Sequence, residues 1–349
     1  MAYEAVTIKD IAKALGFSTS TVSRALRDSY EISQETKTLV LECAEKLNYK
    51  PNPAALSLKE RKTRSIGLIV CEIANTFFSQ VIDGMDAIAY DRGYNLIITQ
   101  SHESMEREIT NLNFLASRSV DGLLISLSTE TNDMSHFKAL HDKGMPIVFF
   151  DRIATDIKTH MVVLDNFKAS YDATEHLLQN GYKNIAAICS SEFLSNSKER
   201  IAGYEEALRA NGIPVNQSMI KHCFYGGIDS QEVDDAVNTL YTAKDRPDAI
   251  LCTSDKLTAC CLGTLIRRGM RIPEDVALVG FSNTQFGELI SPPLTVVRQP
   301  ASEMGKAATE LLIQLIESKR PVVDFEKRVL SPEMIIRASS AKVKTKHIP

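Results

Sequence analysis

VTIKDIAKALGFSTSTVSRAL, residues 6–26, decides how the start of this 349-residue chain folds. Ile8, Ile11, Ala12 and Leu15 recur at the three- and four-residue spacing that lines one face of a helix, and Gly16 interrupts the run. Val22, Ala25 and Leu26 mark a second apolar face behind the polar cluster Ser18-Thr19-Ser20-Thr21. Thr7 and Asp10 have the spacing of a capping box, and Ser18 and Ser33 stand where N-caps of the next two helices would. Leu39, Val40, Cys43, Ala44 and Leu47 supply a third face, so residues 1–50 read as a compact three-helix head.

Two short helices joined through a glycine turn, the second with a polar outer face, form a helix-turn-helix, whose second helix lies in the DNA major groove. Hydroxyls near that helix start suit phosphates, and Arg24 on the outer face can pair with guanine O6 and N7. For any single residue here the alternative is a solvated surface helix. Charge points the same way: residues 1–64 hold 11 Lys and Arg against 8 Asp and Glu, the remainder 29 against 36. A basic end on an acidic body suits a polyanionic partner.

With 44% hydrophobic and 24% charged residues the chain has the composition of a soluble protein, and no apolar run is long enough to span a bilayer. The first residues lack the basic start and apolar core of a secretion signal, so a cytoplasmic location is expected. Seven cysteines, an odd number with no C-x-x-C spacing, argue against a disulfide frame or a zinc site; neither metal nor cofactor is expected.

After Arg64 short apolar runs alternate with amphipathic helical stretches, the rhythm of parallel strands covered by helices. The runs are 66–70, 96–99, 122–126, 147–150, 161–164, 185–189, 249–252 and 276–281, and the pattern restarts near residue 160. The fold class is therefore a small all-α helix-turn-helix head followed by a two-lobed α/β core. The expected boundaries are a head at 1–50, a hinge and linker at 51–63, a core at 64–340 and a flexible tail at 341–349. Within the core, 64–162 plus 294–324 are expected to form the first lobe and 163–293 plus 325–340 the second.

The stretch from Val6 to Leu26, with ISQETKTLVLECAEKLNYKPNPAALSL after it, resembles the headpiece of the LacI (lactose repressor) family nearly position by position. The resemblance implies that Thr19, Ser20 and Arg24 contact bases and that Ser18, Thr21 and Ser23 hold phosphates. Pro51-Asn52-Pro53-Ala54-Ala55-Leu56-Ser57-Leu58 has the composition of a short helix behind two prolines. By resemblance it is a hinge helix that pairs with its twin in the minor groove and inserts Leu58, at an unstacking cost of about a few kcal/mol.

The core resembles periplasmic sugar-binding proteins through SIGLIV, VDGLLIS, FFDR, VVLDN, ERIAGY, PDAILCTSD, RIPEDVALVGF and SPPLTVVRQP. Ligands of such sheets sit beyond strand C-termini, which makes Ser126, Asp151 and Ser254-Asp255 candidates. Arg200 matches the family's effector-binding arginine; Asn196, Arg152 and Ser282 join the candidate set, and Phe77, Phe78 and Tyr225 are candidate aromatic walls. Ser282 departs from the family, which usually has an aspartate there, so the expected effector widens from a sugar to a sugar phosphate or sugar acid held by Arg152 and Arg200.

The resemblance implies a repressor that binds a palindromic operator as a homodimer. No heptad-patterned helix follows the last core strand, so a dimer is expected rather than a tetramer. Phosphate-loop, nucleophile-elbow, zincin and dinucleotide motifs are missing from the sequence, so no enzyme is expected. The alternative is a cytoplasmic α/β sugar-binding protein or enzyme on the same core.

Overall fold

The computed structural model describes residues 6–50 and 62–341, which fall into two compact units divided at Arg64. The expected hinge, residues 51–58, lies outside the described residues, as does most of the expected tail. Of that tail Ala341 is described, and its carbonyl accepts a hydrogen bond from the Tyr182 hydroxyl at 2.8 Å.

The head has helices α1 (Ile8–Leu15), α2 (Thr19–Ala25) and α3 (Gln34–Lys46). Ile11, Ala12, Val22, Ala25, Val40 and Ala44 are buried together at their meeting point. Asp10 Oδ2 accepts from the Thr7 backbone N–H at 2.8 Å and from its hydroxyl at 2.7 Å, fixing the start of α1. Gly16 has φ +70°, the left-handed C-terminal turn that a Cβ disfavours, and it redirects the chain into α2.

The second unit holds two six-stranded sheets. The first contains β1 (Ser65–Val70), β2 (Asn95–Gln100), β3 (Gly122–Ile125), β4 (Ile147–Phe150), β5 (His160–Leu164) and β11 (Lys327–Leu330), in the order β11-β5-β4-β3-β1-β2, all parallel. The second contains β6 (Ile185–Cys189), β7 (Ile220–His222), β8 (Ala249–Cys252), β9 (Ala277–Phe281), β10 (Thr295–Arg298) and β12 (Glu333–Ile335). Its order is β12-β10-β9-β8-β6-β7, with β12 antiparallel to β10 and the rest parallel. The central strands are buried along their length, as sheets covered on both faces require.

The expected lobe boundaries need correction. The strand Leu294–Val297 was expected in the first lobe, yet β10 pairs with β9 in the second sheet. Of residues 325–340, expected in the second lobe, β12 does pair with β10 in the second sheet, but β11 pairs with β5 in the first, Lys327 opposite Met161 and Leu330 opposite Leu164. β5 itself belongs wholly to the first sheet. The chain thus crosses between sheets three times, after Leu164, after Arg298 and after Leu330. Apolar periodicity marks a strand but not its neighbour, so the partners of these short segments were beyond its reach.

Helices α4 (Thr76–Asp91), α5 (Met105–Ser117) and α6 (Ser135–His141) follow the first strands of the first lobe, and α7 (Asn166–Gln179), α8 (Ser195–Ala210), α9 (Ser230–Thr242) and α10 (Asp255–Arg267) serve the second. After the second crossing α11 (Ala301–Glu317) packs back against α4. In each lobe one helix pair meets backbone to backbone at a glycine. A Cβ on Gly84 would lie 2.1 Å from the Ser302 carbonyl oxygen, one on Gly305 would lie 2.0 Å from that of Val81, and one on Gly203 would lie 2.1 Å from that of Phe167. No side-chain rotation relieves such an overlap, since the obstacle is backbone. Gly305→Ala is therefore expected to push α11 off α4 and to cost about 1–3 kcal/mol or more of unfolding free energy in urea melts of the core, despite alanine's better helix propensity.

Candidate DNA-reading face and ligand cleft

On α2 the buried Val22 and Ala25 anchor one side against the head core, which turns Thr19, Ser20 and Arg24 outward to solvent; Thr21 and Ser23 are half-buried. The Ser18 hydroxyl accepts from the Thr21 backbone N–H at 3.1 Å and lies 2.7 Å from the Ser20 hydroxyl and 2.8 Å from that of Thr21. Arg24 Nη1 is 2.8 Å from Glu31 Oε2, with both side chains about half exposed. A pair so open to water holds by only about 0–1 kcal/mol, so the guanidinium can exchange Glu31 for a stronger acceptor.

In the second unit the strand orders create a switch point in each sheet. β1 lies between β2 and β3, and β6 between β7 and β8, so the connections leaving these strands diverge and open a crevice at their C-terminal ends. A cavity lies there, lined from both lobes. Of the expected residues it brings together Phe77, Phe78, Asp151, Arg152, Asn196, Arg200, Ser254 and Asp255. Asn75, Ser190, Ser197, Thr253 and Gln299 also line it and were not foreseen as candidates.

Arg200 is 4% exposed. Its Nε donates to Asn166 Oδ1 at 2.9 Å, Nη2 to Gln299 Oε1 at 2.8 Å and Nη1 to the Thr253 carbonyl, while the guanidinium stacks 4.2 Å from the centre of the Phe281 ring. Three of its five N–H donors are thereby committed to protein. Burial lowers its pKa to about 10, with Asp151 opposing the shift, and it remains charged at neutral pH. Asp151 has φ +55°, a left-handed backbone rare outside glycine and asparagine, and accepts from Asn196 Nδ2 at 3.2 Å. Burial pushes its carboxyl pKa up, partly offset by Arg200 and Arg152.

Arg152 is committed elsewhere through Nη1 alone, while its Nε is buried without a hydrogen-bond partner among the described residues, 3.9 Å from Asp151 Oδ2. Its Nη1 lies 2.6 Å from Glu103 Oε2, and also reaches Cys71 Sγ at 3.2 Å and the Leu127 carbonyl at 3.3 Å. Glu103 Oε2 accepts in addition from the Thr129 N–H at 2.8 Å and hydroxyl at 2.7 Å. Burial raises the Glu103 carboxyl, but the charge and hydrogen bond of Arg152 outweigh it and hold the group below its ordinary range.

Three expected residues do not line this cavity. Ser126 is fully buried behind it, with no partner for its hydroxyl among the described residues. Tyr225 follows the edge strand β7 and is 42% exposed. Ser282 borders an adjoining groove of about 970 Å³ that shares Asn75 and Asp255 with the cavity. There its hydroxyl donates to Asp255 Oδ1 at 2.5 Å, so the serine that replaces the family's usual aspartate supports a neighbouring carboxylate. Burial raises the Asp255 carboxyl, and this hydrogen bond works against the shift. Gln299 and Asn166 fall inside SPPLTVVRQP and VVLDN, so their segments were visible but their roles were not. Nothing in the sequence marked Glu103.

A model for the periplasmic binding proteins and sugar binding domain of the LacI family matches residues 63–336, and one for bacterial regulatory proteins of the lacI family matches residues 7–52. The chain is 32% identical over 335 residues to the HTH-type transcriptional repressor PurR of Photobacterium profundum, covering 95% of this chain and 98% of that one. Among solved structures it is 30% identical to a putative ribose operon repressor from Burkholderia thailandensis, with a TM-score of 0.70 over 78% of this chain and 98% of that one. The transcriptional regulator CelR in complex with cellobiose matches at 28% identity and a TM-score of 0.70, over 96% of this chain and 99% of that one. The lac repressor dimer bound to operator and an anti-inducer shares the fold, at 22% identity and a TM-score of 0.81 over 97% and 100% of the two chains. A helix-turn-helix head on a two-sheet core of the periplasmic-binding-protein type, matched over nearly its whole length, makes this chain a member of the LacI family of DNA-binding transcriptional repressors, regulators rather than enzymes.

Proposed function

We propose that this repressor acts in the cytoplasm as a homodimer on a palindromic operator, and that a small polyhydroxylated effector in the cleft switches it. In this reading Arg24 reads a base, Thr19 and Ser20 assist it, and Ser18, Thr21 and Ser23 sit against phosphates. Residues 51–58 serve as the hinge, with Leu58 in the minor groove. Two symmetric heads suit the two halves of a palindrome.

The observation that carries the effector reading is one cavity reached by carboxylates, amides, hydroxyls and a committed guanidinium from both lobes, with Phe77 and Phe78 beside them. Many fixed donors and acceptors around a small volume suit a ligand dense in hydroxyls. The Thr253 hydroxyl adds to this: it lines the cavity, is buried and has no hydrogen-bond partner among the described residues. A ligand hydroxyl would satisfy it. The cellobiose bound by the related CelR accords with a sugar. Binding that favours one arrangement of the two lobes would change operator affinity by its differential affinity for the two arrangements.

In gel shifts on DNA selected from a random pool, Arg24→Ala is expected to lose about 1–3 kcal/mol of specific affinity, and wild-type binding to weaken steeply with salt. A selection that enriches no sequence would refute operator reading. Thr253→Val removes the unpartnered hydroxyl at nearly constant volume, so it should leave the melting temperature in place. It should weaken whichever sugar shifts operator affinity by about 0.5–1.5 kcal/mol in calorimetric titrations. Sedimentation at micromolar concentration should give the mass of two chains.

A further inference from the structure

Two guanidiniums reach the effector cavity, and taken alone they would invite an anionic ligand. The surrounding charges argue otherwise. Asp151 and Asp255 line the same walls as Arg152 and Arg200, and Glu103 pairs with Arg152 as a third carboxyl group, so three carboxyls stand against two guanidiniums among these five groups. Glu103 is 4% exposed and Arg152 9%, so neither side of their 2.6 Å pair is screened by bulk water. The remaining acceptor capacity of Glu103 Oε2 is filled by the N–H and hydroxyl of Thr129, and Glu103 itself has φ +65°. Its carboxylate is thus fixed on the far side of Arg152 by a loop built around it. Glu108, fully buried nearby, braces the same loop by accepting from the Ser128 N–H at 2.8 Å and the Thr131 hydroxyl at 2.7 Å.

We infer that Glu103 is a specificity-determining residue of the cleft: by neutralising Arg152 it makes the effector a neutral polyol or sugar and excludes sugar phosphates and sugar acids. An anion entering the cavity meets Asp151 and Asp255 and finds the charge of Arg152 already balanced through Nη1 by Glu103, whereas a neutral polyol can take up the unpartnered Nε–H of Arg152 without bringing a further negative charge. Glu103 touches no ligand and acts through Arg152. This deepens the proposed effector reading and rests on it for the cavity's role, but its charge logic is testable without knowing the effector.

The test is a calorimetric titration of inorganic phosphate into the full chain and into its Glu103→Gln variant. The wild type is expected to show no saturable phosphate binding. Glu103→Gln releases Arg152 toward the cavity and should bind phosphate at least about tenfold more tightly than wild type, a modest fraction of the Coulomb energy of one unscreened charge. The double variant Glu103→Gln/Arg152→Met should lose that gain, which separates the cavity from adventitious surface binding. Phosphate binding by wild type as tight as by the variant, or a folded Glu103→Gln without any gain, would overturn the inference. If Glu103→Gln fails to fold, Glu103→Asp, which withdraws the carboxylate by one methylene, should show a smaller gain, and its absence would count equally against the idea. Parallel titrations of D-glucose and D-glucose 6-phosphate against operator-bound protein read the effector role separately. If neither shifts operator affinity, the effector reading is weakened while the phosphate result still decides the role of Glu103.

Discussion

The buried guanidinium of Arg200 is the tie on which the geometry of the cleft depends. It binds Asn166, just past the first crossing between the sheets, and Gln299, at the second, while a third N–H holds the carbonyl that ends β8. A charge this deep would be costly if unpaired, so these partners must stay within reach of one another whenever the protein is folded. One side chain therefore fixes where the two lobes can pivot. It also makes the cleft's floor from segments more than a hundred residues apart in sequence.

Around that tie the lobes are built stiffly. Gly84 and Gly305 let α4 and α11 touch through their backbones, and Gly203 does the same for α8 against α7. Helices in such contact have little freedom to slide, which leaves the crossings as the places where rearrangement is cheapest. Contacts from lobe to lobe at the cleft mouth, Lys256 Nζ to Glu72 Oε2 at 2.5 Å and Asn283 Nδ2 to Gln80 Oε1 at 2.8 Å, lie where a change in lobe spacing would break or make them.

The head was legible almost residue by residue, because capping and helical periodicity are local: Thr7, Asp10, Gly16, Ser18 and Ser33 each act within four positions of themselves. The alternation of strand and helix in the core was legible for the same reason. Strand partnership was not, since β10 and β11 are four-residue segments whose sheets are settled by the chain's return path. In the cleft, residues directly after strong strands, such as Asp151 and Asp255, could be picked out. Gln299, Asn166 and Glu103 could not, because each works through an arginine distant in sequence. Ser282 was noticed as a departure, but its bond to Asp255 is a tertiary fact.

The three crossings also bear on how the molecule is made. Among the described residues the buried cluster of the head is drawn from residues before 50, so the head can fold once that stretch has left the ribosome. Neither core sheet is complete at that stage or for long after: the first waits for Lys327–Leu330 and the second for Glu333–Ile335, within the last two dozen residues. During synthesis the chain therefore carries a finished head on an unfinished core, whose sheet edges stay exposed until β11 and β12 have emerged.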